Sequence, residues 1–310
     1  AQRAGLRYVC ISSRLTQDET DYILENSGAK MLVVSASLAS AALQLETRIE
    51  RYSMGGEIAG WTRIEDALAA MPATRIADER AGVDMLYSSG TTGRPKGVKV
   101  PLPEEEEIDA PNSLVMLASA AFGINADSIY LSPAPLYHAA PLRWSMTIHR
   151  LGGTVVLMKK FDPEAALAAI QHYRCNAAQF VPTHFVRMLK LPADVRAQND
   201  VSSMKSAIHA AAPCPVPVKQ AMIDWWGPVL LEYYAGSEGN GMTFATSQDW
   251  LAHKGTVGRA LNGVVHIVGE DNETEVPVGD EGAVFFESDS VFEYHDDPEK
   301  TASSRNSKGW

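Results

Sequence analysis

From Ser128 to Tyr234 the chain alternates short apolar runs with amphipathic stretches, the arrangement that parallel strands joined by crossover helices require. Ser128–Ser132 (SIYLS), Thr154–Met158 (TVVLM), Ala177–Val181, Ser206–His209 and Val229–Tyr234 are predicted strands. Helices are predicted over Ala139–Arg150, Asp162–Tyr173, from Pro182 through Leu189, and over Pro217–Trp226. The second helix is the best signalled. Asp162 can cap free amides, Pro163 suits the first helical position, and Leu167, Ile170 and Tyr173 fall on adjoining parts of one face. Near the start, Lys30–Ser35 (KMLVVS) and the Ala/Leu-rich stretch from Leu38 predict another strand and helix. From about Gly255 the strands shorten to Val264–Val268 and Gly282–Phe286, with Gly, Asp, Asn and Pro between them, which predicts antiparallel hairpins. The expected class is α/β with a small antiparallel β subdomain.

Composition narrows the function. Apolar residues make up 45% of the 310 residues and charged residues 21%, enough to bury a large core. The net charge of −11 argues against a phosphate-backbone binder, so nucleic acid is not an expected partner and any anionic ligand needs a local site. Cys10, Cys175 and Cys214 lie too far apart in sequence for a disulfide scaffold or a paired-cysteine zinc site, and fit a reducing compartment. No apolar run approaches the roughly 20 residues of a membrane span. The start lacks a signal-peptide layout, so a soluble cytoplasmic protein is expected, with a homodimer left open. The run Glu104–Glu107 reads as a solvated loop, and His149, His172, His253 and His295 show no metal-ligand spacing.

The most informative segment is Met85–Val100 (MLYSSGTTGRPKGVKV). Ser88, Ser89, Thr91 and Thr92 surround Gly90, Gly93 and Gly97, with Lys96 near the end. Glycines let amides turn toward one centre, hydroxyls add donors and lysine adds a point charge, a combination that suits a polyphosphate. A flexible Ser/Gly linker is the alternative, but would not need the ending Arg94–Gly97 (RPKG). The common nucleotide P-loop, with Gly-Lys-Ser/Thr after four residues, and the dinucleotide fingerprint are both absent here.

SSGTTGRPKG resembles the phosphate-loop signature of the adenylate-forming superfamily of acyl-CoA synthetases, firefly-type luciferases and peptide-synthetase adenylation domains. Pro135–His138 (PLYH), Ala210–Pro213 (AAAP) and Tyr234–Glu238 (YAGSE) follow in that family's order, and the wording is most similar to bacterial acyl-CoA synthetases. The resemblance implies two stacked doubly wound sheets with crossover helices. It implies a first α/β subdomain over 1–125 carrying the loop, a second over 126–242 with the substrate and adenosine site, and a small β subdomain over 243–310. It also implies activation of a small-molecule carboxylate with ATP and magnesium to an acyl-adenylate, then transfer to coenzyme A.

On that resemblance Ser88, Ser89, Gly90, Thr91, Thr92, Gly93 and Lys96 cradle the β- and γ-phosphates. Ala211, Ala212 and Pro213 lie along the adenosine, with Tyr234 and Ala235 at the adenine. Ser237 donates to the α-phosphate, Thr92 and Glu238 serve the magnesium, and His138, Gly236 and Gly239 face the acid. Gly239–Gly241 are expected at an acyl tunnel that Trp225–Trp226 could line, although a paired Trp at a helix end is more often core. The family's usual Thr at position 237 is Ser here, and the hydroxyl is kept. Members continue past a Gly-Trp like Gly309–Trp310 to a ribose-holding Asp and a C-terminal domain with a catalytic lysine, so the chain reads as the large N-terminal domain. Two other readings stay open. One is a serine hydrolase using Ser237, because Ala235–Gly239 (AGSEG) approaches a nucleophile elbow. The other is a non-catalytic nucleotide-binding fragment.

Overall fold

A computed structural model describes residues 1–88, 95–103, 108 and 112–310. The chain divides into two compact units, Ala1–Ile108 with Tyr294–Asp296, and Asp109–Glu293 with Asp297–Trp310. The class is α/β with parallel and mixed sheets and small antiparallel ones, as the apolar pattern predicts.

The first unit runs β1 (Arg7–Tyr8), α1 (Gln17–Asn26), β2 (Met31–Ser35), α2 (Ala39–Ala42), β3 (Glu50–Met54), β4 (Thr62–Arg63), α3 (Ile64–Ala69), β5 (Val83–Asp84), β6 (Leu86–Ser88) and β7 (Lys96–Lys99). Strands β2, β3 and β4 form a parallel sheet, β1 pairs with β5, and β6 pairs antiparallel with β7. Helix α1 starts on a capping box in which the Thr16 hydroxyl accepts from the Glu19 amide while the Glu19 carboxylate reaches back. The helix expected from Leu38 shrinks to a 3-10 turn at Ala36–Leu38 and the single turn α2. The chain leaves at Leu43, and the Gln17 amide donates to the Gln44 carbonyl at 2.5 Å, which fixes an exit rather than another helical turn.

The second unit holds α4 (Ser113–Phe122), β8 (Ile129–Ser132), α5 (Ala139–Arg150), β9 (Thr154–Leu157), α6 (Pro163–Tyr173), β10 (Ala177–Phe180), α7 (Pro182–Leu189), α8 (Ala193–Ala197), β11 (Ser206–His209), α9 (Val216–Trp226), β12 (Leu230–Ala235), β13 (Met242–Ala245), α10 (Ser247–Ala252), β14 (Arg259–Asn262), β15 (Val264–Val268), β16 (Ala283–Glu287) and α11 (Pro298–Ser303). A seven-stranded sheet has the order β14-β13-β12-β11-β10-β8-β9. Its strands from β12 to β9 are parallel and the two at the other edge antiparallel. Strands β15 and β16 form a separate antiparallel hairpin.

Period two sends alternate residues of each parallel strand into two cores. Leu131, Ala178, Phe180, Ala207 and Leu230 pack with α6, α7, α9 and α10, while Tyr130, Ala177 and Ile208 pack with α4 and α5. Helix α6 is capped as its sequence predicts, Asp162 accepting from the Glu164 and Ala165 amides at 3.1 and 2.9 Å. Leu167 and Ile170 are fully buried. Tyr173, in the last turn, is instead exposed.

Candidate active site

Three of the four motifs lie in the second unit, where each follows a parallel strand. Pro135–His138 follows β8, Ala210–Pro213 follows β11, and Tyr234–Glu238 ends β12 and continues beyond it. Because those strands are parallel members of one sheet, the motifs leave from the same carboxyl edge, where open α/β sheets bind ligands.

His138 occupies the position that starts α5, in extended conformation, its amide donating to the Pro135 carbonyl at 3.2 Å. Its ring lies 4.4 Å from the Tyr137 ring, and partial burial holds its pKa below the ordinary value, so it is neutral at pH 7. After β11, Ala210 is buried while Ala211, Ala212 and Pro213 are exposed. Ala211 has φ +74°, a left-handed conformation that costs a residue with a Cβ. Tyr234 is 45% exposed, with its ring near-parallel to Phe286 at 6.2 Å.

Beyond Ala235 the chain turns, the Gly239 amide donating to the Gly236 carbonyl at 3.2 Å with Gly239 at φ +71°. A Cβ on Gly236 would stand 2.8 Å from the Glu238 carboxylate, so the glycine leaves room for that side chain to fold over the turn. Ser237 and Glu238 are half-buried. Arg143 of α5 donates to the Ser237 carbonyl at 3.0 Å and so fastens this turn. Sequence reasoning missed Arg143, since nothing local in an amphipathic helix points to a carbonyl 94 residues away. Trp226 belongs to the core and Trp225 packs on it, so the pair takes its core role. Past Gly241 the chain returns as strand β13, which removes the strand-turn-helix context of a nucleophile elbow at Ser237.

In the first unit, Ser88 and Lys96 are register partners that close the β6–β7 hairpin. Ser89, Gly90, Thr91, Thr92, Gly93 and Arg94 lie outside the described residues. Gly97 serves packing, because a Cβ there would meet Met85 at 2.6 Å and the Tyr87 ring at 3.1 Å. The hairpin base is tied down by Tyr87, whose hydroxyl donates to Asn26 Oδ1 at 2.6 Å, and by His295, whose amide donates to the Gly97 carbonyl at 2.8 Å.

Among the described residues, no group of three His, Cys, Asp or Glu side chains is placed to hold a metal ion, and no helix is long and apolar enough to cross a membrane. Magnesium bound to a nucleotide takes hard oxygen donors, phosphate and carboxylate, and Glu238 is a half-buried carboxylate in the turn after β12. A shallow cavity of about 260 Å³ beside α10 and β14, lined by Phe244, Asp249, His253 and Arg259, contains none of the candidate residues.

A family model described as AMP-binding enzyme matches residues 1–294. A methyl-dioxo-octahydroindenyl-propanoyl:CoA ligase of Rhodococcus jostii (strain RHA1) is 31% identical, the match covering 99% of this chain and 61% of that protein. Among solved structures, the amide bond synthetase McbA of Marinactinospora thermotolerans matches with a TM-score of 0.82 at 25% identity, over 100% of this chain and 62% of that one. ATP-bound MatB of Rhodopseudomonas palustris matches with a TM-score of 0.73 at 25% identity, over 97% and 59%. The chain therefore spans about three fifths of the relatives it matches.

Proposed function

The chain belongs to the AMP-binding enzyme family, and on that premise we propose that it forms the substrate-binding part of a ligase that activates a carboxylic acid with ATP and passes the acyl group to coenzyme A. The observation that carries this reading is the convergence of Pro135–His138, Ala210–Pro213 and Tyr234–Glu238 at the carboxyl edge of one parallel sheet.

A carboxylate is a poor acyl donor because its oxygen is a poor leaving group. The acid oxygen attacks the α-phosphorus of ATP, pyrophosphate departs, and the mixed anhydride then accepts a thiolate at its carbonyl carbon with release of AMP. Two anions meet in the first step, so positioned donors must stabilise charge that grows on the phosphates. The small side chains of Ala211, Ala212 and Pro213 let adenosine approach the backbone. Tyr234 offers one ring face to the adenine, and its other side is occupied by Phe286. The Ser237 hydroxyl donates to the α-phosphate, in a turn held by Arg143. Bound magnesium supplies Lewis-acid charge at the phosphates, with Glu238 as its protein ligand. His138, neutral at pH 7, donates one N–H to the substrate carboxylate. Lys96 and the hydroxyls and glycines of 88–93 are assigned to the β- and γ-phosphates.

ATP–pyrophosphate exchange by the enzyme against fatty, alicyclic and aromatic acids tests the first half. No exchange with any acid would overturn the reading. The likeness to an amide bond synthetase favours a second reading for the second half only, with an amine in place of the thiol as acceptor. Trapping the adenylate with coenzyme A or with amines in parallel separates the two.

A further inference from the structure

Beneath the Ala210–Pro213 turn lies a buried charge cluster that the proposed chemistry does not use. Lys219 of α9 and His209, the last residue of β11, are fully buried, and Glu232 of β12 is 5% exposed. The Lys219 ammonium donates to Glu232 Oε2 at 2.5 Å, and His209 Nε2 lies 3.7 Å from the same oxygen. Burial pushes the Lys219 ammonium down and the Glu232 carboxyl up, each opposed by its partner. Burial and the Lys219 charge push His209 down to about 3, so its ring is neutral, and neither ring nitrogen has a hydrogen-bond partner. Such a cluster is a poor stabiliser. Desolvating two charges offsets their attraction, an apolar replacement of both is often as stable, and an orphaned ring nitrogen costs more.

What the cluster does is set by where its members sit. His209 ends the strand that enters the turn and is the register partner of Glu232. Lys219 is on the helix that leaves the turn, one helical turn past its start at Val216. Glu232 is two residues before Tyr234 on the strand that carries the exposed ring. Ala211, inside the turn, is held at φ +74°. Resting on the reading of this turn and Tyr234 as the adenosine wall, we infer that His209, Lys219 and Glu232 are positioning residues that hold the strained turn against the Tyr234 strand and thereby preorganise the nucleotide site. The two ends of the turn and the adenine platform are then clamped at one buried point, so nucleotide does not have to order them on binding.

The test compares stability with AMP affinity in Lys219→Met, Glu232→Gln and the double variant, by thermal unfolding and calorimetric titration with AMP. Each single change leaves one buried charge unpaired and should lower the melting temperature. The double variant removes both charges at similar volume and should recover most of the loss. It should still bind AMP about tenfold more weakly, which is about 1.4 kcal/mol. A double variant with recovered stability and wild-type affinity would overturn the inference. If stability does not recover, His209→Phe decides, since it replaces the orphaned ring by an apolar one. Weaker AMP binding at an unchanged melting temperature supports the clamp, and unchanged affinity overturns it. A wild-type protein that takes up no AMP would instead sink the adenosine reading on which the inference stands.

Discussion

Ala211 concentrates the strain of its turn in one backbone angle, φ +74°. An L-residue in the left-handed region carries about 1–2 kcal/mol of strain, and glycine there loses more freedom on folding by about 0.4–1 kcal/mol. Ala211→Gly should therefore raise stability by up to about 1 kcal/mol, read as a higher urea midpoint at unchanged slope, and a lower midpoint would show that the turn is unstrained. Gly241 has the opposite constraint, because a Cβ there would stand 2.1 Å from the Phe286 ring. Gly241→Ala should cost about 1–3 kcal/mol and weaken AMP binding, since the displaced Phe286 ring is the one beside Tyr234. Glu238→Gln tests the metal role: the variant keeps the shape and loses the charge, so its defect in pyrophosphate exchange should be largest at low magnesium and shrink as magnesium rises. A defect of constant size across that titration assigns Glu238 another task.

At the scale of elements, the parallel core was legible because strands buried on both faces read as unbroken apolar runs. Helix α5 and strand β11 have the bounds predicted from sequence, and α6 carries its predicted cap. Helix α1 was missed, being mostly polar (QDETDYILEN), although Thr16 and Glu19 spell a capping box. Strand β3 was missed because its residues alternate without a strongly apolar face. The cluster under the turn has a signal in the sequence of α9. Lys219 shares the buried stripe of α9 with Met222, Ile223 and Trp226, at the spacing of an inward face. A lysine there must have a buried partner, but sequence alone does not say that Glu232 supplies it. The β15–β16 hairpin adds a pH dependence. His266 of β15 is hydrogen-bonded to Glu275 and Glu287 and stacks on Trp310 at 3.5 Å. Burial pulls its pKa down, but the two carboxylates more than offset this and raise it. A raised folded value means that the stabilisation is full below the unfolded value of about 6.5 and is lost as pH rises through the folded one. An NMR titration of the His266 ring should show a midpoint above about 6.5, and one at or below it would sink this assignment.

For the molecule as a whole, the chain holds all four motifs while spanning 61% of the Rhodococcus jostii relative's length. On the proposed function, AMP binding should need the Ala210–Pro213 wall and the Tyr234–Glu238 turn, both in the second unit. The 310 residues are therefore expected to take up AMP in calorimetry, and no uptake would refute this. The parallel sheet has one more consequence, for how the second unit comes to exist at all. The parallel neighbours β8–β9 and β11–β12, paired at Ile129 with Thr154 and Ala207 with Leu230, are each joined through one helix, β8 and β10 pair across α5, β9 and α6, and β12–β13 and β15–β16 pair antiparallel. Closing those long crossovers comes before any strand contact repays it, so the carboxyl edge is a late product of folding. The nascent chain meanwhile exposes the apolar strands that will become its core, and this is the stage at which aggregation competes most strongly with the native state.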